Sequence, residues 1–311
     1  MIATFESILP IFLLIIAGNL LRRSPLIDKS AWNGLEQLGF WFLYPALLFA
    51  SILRADFSGL SLGPLIIALM AALFLGMAGM LALWPAFRAA GLIARSEYST
   101  VFQTALRWNG FMALAIAEKL FPPEGVAVVA LAMAAIVIPV NLVTVLVVTR
   151  FADSQADLGT LARRMAVNPL VLAATAGLLA RYLPGGLYAP LDVTLSLVAR
   201  AALGMGLIAI GAGLRPGDMF SLRPALWLPV VIKLIAYPAA LVGLGLAFGV
   251  TGEAILWLAL CGAVPTAMNG YLLAKQIGGD APLYAATVTM QTAVSFFSIP
   301  AVLAVAGLVA G

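Results

Sequence analysis

Apolar runs separated by short polar connectors fill the chain from end to end. They fall at about 4–21, 33–53, 62–87, 97–120, 126–149, 166–183, 188–214, 224–249, 253–276 and 283–309. Each is close to the ~20 residues that carry a helix across a ~30 Å hydrocarbon core. The connectors, among them "RRSPLIDKS", "RAAGLIARSE", "RFADSQADLGTLARR" and "RPGDMFSLR", are too short to hold a folded extramembrane domain. The pattern predicts an all-α membrane protein of ten transmembrane helices. The start, "MIATFESILPIFLLIIAGNLLRR", has no Lys or Arg before its apolar run, and Arg22 and Arg23 come after it. That order reads as a retained first helix beginning outside, not as a cleaved signal peptide.

Composition narrows the class. The 311 residues are 63% hydrophobic and 10% charged, against about one-quarter charged in soluble chains, and the mean hydropathy is +1.09. Successive connectors alternate in basic content. Those after runs 1, 3, 5, 7 and 9 carry eleven Lys and Arg residues and the other set carries three, Arg54, Lys119 and Arg181. The positive-inside rule then places the first set in the cytoplasm and both termini outside, as in a multi-pass protein of a bacterial cytoplasmic membrane. Three basic residues remain within the apolar runs: Arg107, Arg200 and Lys233. The single cysteine, Cys261, rules out an intramolecular disulfide, and the absence of histidine removes zinc–His sites and His general bases. Without paired acids or a nucleophile–base pair at depth, enzyme chemistry is not expected, nor is a bound cofactor or a nucleic-acid partner.

The chain also resembles itself. "ALRWNGFMALAIAEKL" precedes "AAIVIPVNLV", and "AVPTAMNGYLLAKQI" precedes "VSFFSIPAVLAV". Asn109-Gly110 matches Asn269-Gly270, Pro139 matches Pro300 and Arg54 matches Arg215, at offsets of 160, 161 and 161 residues. We read two five-helix halves, 1–155 and 156–311. Because five is odd, the second half enters the membrane from the opposite side, giving the inverted repeat common in secondary transporters.

Two of the predicted helices carry residues that break a helix near mid-membrane. Pro265 removes a backbone donor, and Gly110 and Gly270 relax the dihedrals. Asn109 and Asn269 offer amides to freed backbone groups or to a solute. A break at that depth is tolerated inside protein or beside a water-filled cavity, where half-helix N-termini would face an anion. Arg107 stands two residues before Asn109 and fits a carboxylate through its planar fork, or serves as a structural partner for helix carbonyls. The candidate substrate-binding set is therefore Arg107, Asn109, Gly110, Pro265, Thr266, Asn269 and Gly270. Lys233, about ten residues into its run, reads as a snorkelling side chain, a polar tether, a coupling group or an ammonium filling a cation's place. Gln103, Thr104, Asn141, Gln291, Thr292 and Ser295 add polarity, expected mostly as interhelical hydrogen bonds.

"ILPIFLLIIAGNLLRR", "LGFWFLYPALLFASIL", "RWNGFMALAIAEKLF", "GAGLRPGD", "KLIAYP" and "VPTAMNGYLLAKQIGGDA" together resemble the auxin efflux carrier family, in the form of a short bacterial member. The resemblance covers essentially the whole chain. It implies the crossover fold of sodium/proton antiporters and bile-acid symporters. In that fold helices 1, 2, 6 and 7 form a scaffold and helices 3–5 and 8–10 form a moving transport domain. It also implies organic-anion substrates, auxin in plants and dicarboxylates in some bacteria, and a homodimer through the scaffold. The crossover asparagine and proline of the ninth helix fall on Asn269 and Pro265, and that of the fourth on Asn109. Plant members have a proline beside the latter; this chain has Trp108-Asn109-Gly110, which argues against auxin itself. The expectation is a carrier of small carboxylates working by an elevator movement. The alternatives are a sodium-coupled symporter and a non-transporting receptor. H+ or Na+ coupling is left open.

Overall fold

A computed structural model describes residues 2–25, 27–54, 62–151, 167, 169–182, 186–219, 223–268, 270–271, 274 and 279–310. Within these residues the regular elements are all helices. In chain order they are α1 (Ile2–Arg23), α2 (Lys29–Leu38), α3 (Tyr44–Arg54), α4 (Leu62–Ala89), α5 (Arg95–Leu106), α6 (Gly110–Leu120) and α7 (Pro123–Phe151). There follow α8 (Pro169–Ala180), α9 (Ala189–Gly213), α10 (Pro224–Val231), α11 (Tyr237–Ala247), α12 (Glu253–Ala263) and α13 (Ala281–Ala310).

Among the described residues, seven helices are long and apolar enough to cross a membrane: α1, the α2–α3 unit, α4, α7, α9, the α10–α11 unit and α13. Three of the ten predicted runs do not form one long helix. Run 97–120 splits into α5 and α6 around Arg107-Trp108-Asn109. Run 253–276 ends its helix at Ala263 and continues without helix through Val264–Ala267. In run 166–183 the described helix is the twelve residues of α8. Eleven or twelve residues rise about 17 Å, so α5, α6 and α12 each reach about half-way across a bilayer core.

Two of the long units hold one widened turn. In each, a π turn, Gly39–Leu43 or Ile232–Ala236, leads into a Tyr-Pro pair, Tyr44-Pro45 or Tyr237-Pro238. The proline has no N–H for the carbonyl one turn earlier. The helix answers by bonding i to i−5, with the Tyr44 amide on Gly39 O and the Tyr237 amide on Ile232 O.

Packing groups the helices around two contact sets. In one, α1 lies along α9, α3 along α8, and α9 along α3. In the other, α12 packs on α11 and α13, α10 on α5, and α7 on α5 and α6. The α1–α9 seam is backbone against backbone. A Cβ on Gly18 would strike Ile208 O, and one on Gly211 would strike Ile15 O. Small residues let membrane helices approach this closely. Asn19, one residue on, sends its amide to Gly211 O at 3.0 Å and Leu214 O at 2.9 Å, closing carbonyls at the end of α9.

Candidate functional site: two broken helices in contact

The break between α5 and α6 touches the break after α12. The Asn109 amide donates to Pro265 O at 2.7 Å. The breaks are buried from Val101 to Gly110 on one side and from Trp257 to Thr266 on the other, and Ala267 and Met268, next in the second break, are half-exposed. Each break leaves helix ends whose backbone groups need partners, since no water competes at that depth.

The C-terminal end of α5 is closed by neutral donors. Thr266 sends its hydroxyl to Thr104 O at 2.8 Å and to Arg107 O at 3.1 Å. Gln291 of α13 donates to the same Thr104 O at 2.7 Å and to Pro229 O at 3.1 Å, and accepts the Thr266 amide at 2.9 Å. One glutamine thus ties α5, α10, α13 and the second break together. Thr292 and Ser295, expected to bridge helices, instead bond back within α13, to Val288 O and Thr292 O.

The N-terminal end of α6 is open by comparison. Asn109 is its N-cap, and Oδ1 takes the Met112 amide at 3.1 Å. By helix geometry the Gly110 and Phe111 amides point out of the helix start, the positive end of its dipole. Gly110 allows this end to sit against Met133, whose sulfur would lie 2.7 Å from an added Cβ. Phe111 stacks on Tyr44 of α3, with ring centroids 3.6 Å apart and planes at 26°.

Arg107 is 5% exposed, and its guanidinium donates to Asn141 Oδ1 of α7 at 2.9 Å. Gly270 packs against the Tyr284 phenol with no room for a Cβ, and that hydroxyl donates to Ala267 O at 2.8 Å. Of the candidate set, Arg107, Asn109, Gly110, Pro265 and Thr266 are brought to one place, and Gly270 follows on the far side of the second break. Asn269 lies outside the described residues. Lys233 sits on the second π turn, fully buried, and donates to Gly262 O at 3.0 Å.

A family model described as "Membrane transport protein" matches residues 3–303. The chain belongs to the auxin efflux carrier family. No curated protein matched the chain. This member of the auxin efflux carrier family is therefore a multi-pass membrane transporter, and its family is one of transporters, not of enzymes.

Several contributors to the contact between the two breaks carried little signal in the sequence. Tyr44 reads as a membrane-interface aromatic, Tyr284 as an ordinary member of a long apolar run, and Gln291 as one polar residue among several. For Gln291 the cue was there, a glutamine in the middle of a 30-residue apolar helix. An open cavity of about 830 Å³ lies elsewhere, beside the Arg54–Asp192 ion pair (2.7 Å) and between α3, α8 and α9. It shares no lining residue with the two breaks.

Proposed function

We propose that the chain is a secondary transporter of small carboxylates, working in a bacterial cytoplasmic membrane with both termini outside. The observation that carries this reading is the Asn109–Pro265 bond, which sets two broken helices together with a capped helix N-terminus beside a buried arginine. A carboxylate would lie against the Gly110 and Phe111 amides and the Asn109 side chain, with Arg107 supplying the opposite charge. Asn269 would act from the second break, at the position matched to Asn109. The two inverted five-helix halves read from the sequence supply that match, with the breaks in their fourth and ninth helices.

The packing supports a reading of how it would move. Glycine contact in the α1–α9 seam favours a rigid scaffold of α1, α2–α3, α8 and α9. The cross-linked group of α4–α7 and α10–α13 would slide against it as an elevator, carrying the site from one side to the other.

The test is saturable flux of carboxylates into proteoliposomes, after a thermal-shift screen selects the ligands. Arg107→Ala and Asn269→Ala should abolish flux while leaving a folded protein. Wild-type flux in both variants would sink the site assignment. Ligand binding with no flux under any gradient would overturn transport in favour of a receptor.

A further inference from the structure

The two C-terminal ends at the crossover are closed by different means. α5 is closed by a hydroxyl and an amide, whereas α12 is closed by a charged side chain. The reason lies in the sequence. In α12 the Leu260 carbonyl still receives the Val264 amide at 3.3 Å. The next acceptor, Cys261 O, would need the N–H of residue 265, which is proline and has none. The one after, Gly262 O, would need the Thr266 amide, which goes to Gln291 instead. Among the described residues Cys261 O and Gly262 O therefore receive no backbone donor from the next turn, at the negative pole of the helix dipole. Lys233 Nζ fills that position, 3.0 Å from Gly262 O and 4.4 Å from the centre of the Tyr237 ring. Among the described residues no carboxylate lies within 4.0 Å of it. A carbonyl and an aromatic face are both groups that hold a cation without neutralising it. The widened turn at Ile232–Ala236 places the lysine there.

We propose that Lys233 is a tethered monovalent cation: its ammonium occupies a site for a small alkylammonium-type ion at the end of α12, so that no dissolved cation is needed there. Shortening the side chain should open that site to an ion from solution. The inference does not depend on what the carrier moves, because its readout is binding of the cation itself.

The experiment is thermal unfolding of purified wild type and Lys233→Ala in choline, ethylammonium and sodium chloride at equal ionic strength. Lys233→Ala is expected to melt lower than wild type in choline. Ethylammonium should recover at least half of that loss, saturably, and should leave wild type unmoved. Recovery by sodium as well supports the same site with broader selectivity. Lys233→Met, of similar length but uncharged, should melt lower than wild type and respond to no cation, because its side chain fills the site. If Lys233→Met is as stable as wild type, the charge has no role and the proposal fails. It fails equally if the alanine variant's loss is unaffected by every cation, or if ethylammonium stabilises wild type as much as it stabilises the alanine variant. Should the alanine variant not fold in choline, purification in ethylammonium decides: folded protein supports the proposal, and none overturns it.

Discussion

The Asn109 amide donates to Pro265 O at 2.7 Å, so the two helix breaks complete one another's backbone. Proline is suited to the accepting role, since its carbonyl is available while its nitrogen needs nothing. The consequence is that α5–α6 and the segment after α12 are joined backbone to backbone at their breaks.

Asn109 has a capping role and, in the proposed function, a ligand role, which two substitutions separate. Asn109→Ser keeps an oxygen for the Met112 amide and should stay near wild-type stability. It loses the side-chain amide donor, so carboxylate affinity should fall about tenfold, the equivalent of ~1.4 kcal/mol. Asn109→Ala should lose affinity and also about 0.5–2 kcal/mol of stability. Thermal unfolding and ligand titration on the same samples check both.

Thr266→Val should destabilise by about 1–3 kcal/mol, because Thr104 O and Arg107 O lose their shared donor in a buried site. Thr266→Ser keeps the hydroxyl and should stay much closer to wild type. Equal melting of the two variants in detergent would show that the hydroxyl is not the stabilising group.

Gln291→Glu preserves the acceptor for the Thr266 amide but removes the donors to Thr104 O and Pro229 O. It also buries a carboxylate against two carbonyls. The expected cost is about 3 kcal/mol or more, read as loss of monodisperse protein at neutral pH. Gln291→Met, which removes the bonds without adding charge, should be the milder change.

At the α1–α9 seam, Gly211→Ala must push Ile15 backbone aside, at about 1–3 kcal/mol or more. Gly79→Ala, with nothing within 4 Å of the added methyl, should change stability by less than about 0.5 kcal/mol. Comparative thermal unfolding of the two alanine variants tests the close approach directly.

The breaks were legible because proline, glycine and asparagine in a lipid-depth helix leave few interpretations, and the observed gap at 107–109 falls within a residue of the one read at 108–110. Among the described residues seven helices are long and apolar enough to cross, where ten runs were read. For runs 97–120 and 253–276 the difference arises because hydropathy averages over a break: Arg107-Trp108-Asn109 interrupts the helix without interrupting the apolar run, and in run 166–183 the described helix is twelve residues long. Partner choice was not legible. Arg107 could be placed at depth from the sequence, but its bond to Asn141, on a neighbouring helix, depends on how α7 packs. The glycine seam was hidden for a similar reason, since Gly18 and Gly211 look like many other glycines until the helix facing each is known. Lys233 was legible as a buried charge, while its acceptor became identifiable only once Thr266 was seen to give its amide away.

The Tyr44–Phe111 stack joins the proposed scaffold to the first residues of α6, immediately beside the proposed site. An aromatic pair contributes only about 0.5–1.5 kcal/mol beyond its buried area, one to three times thermal energy. A contact of that size can be broken once per turnover without setting the rate, yet it favours one resting position over a continuum. It would behave as a detent on a sliding bolt: strong enough to define a stop, weak enough to be passed.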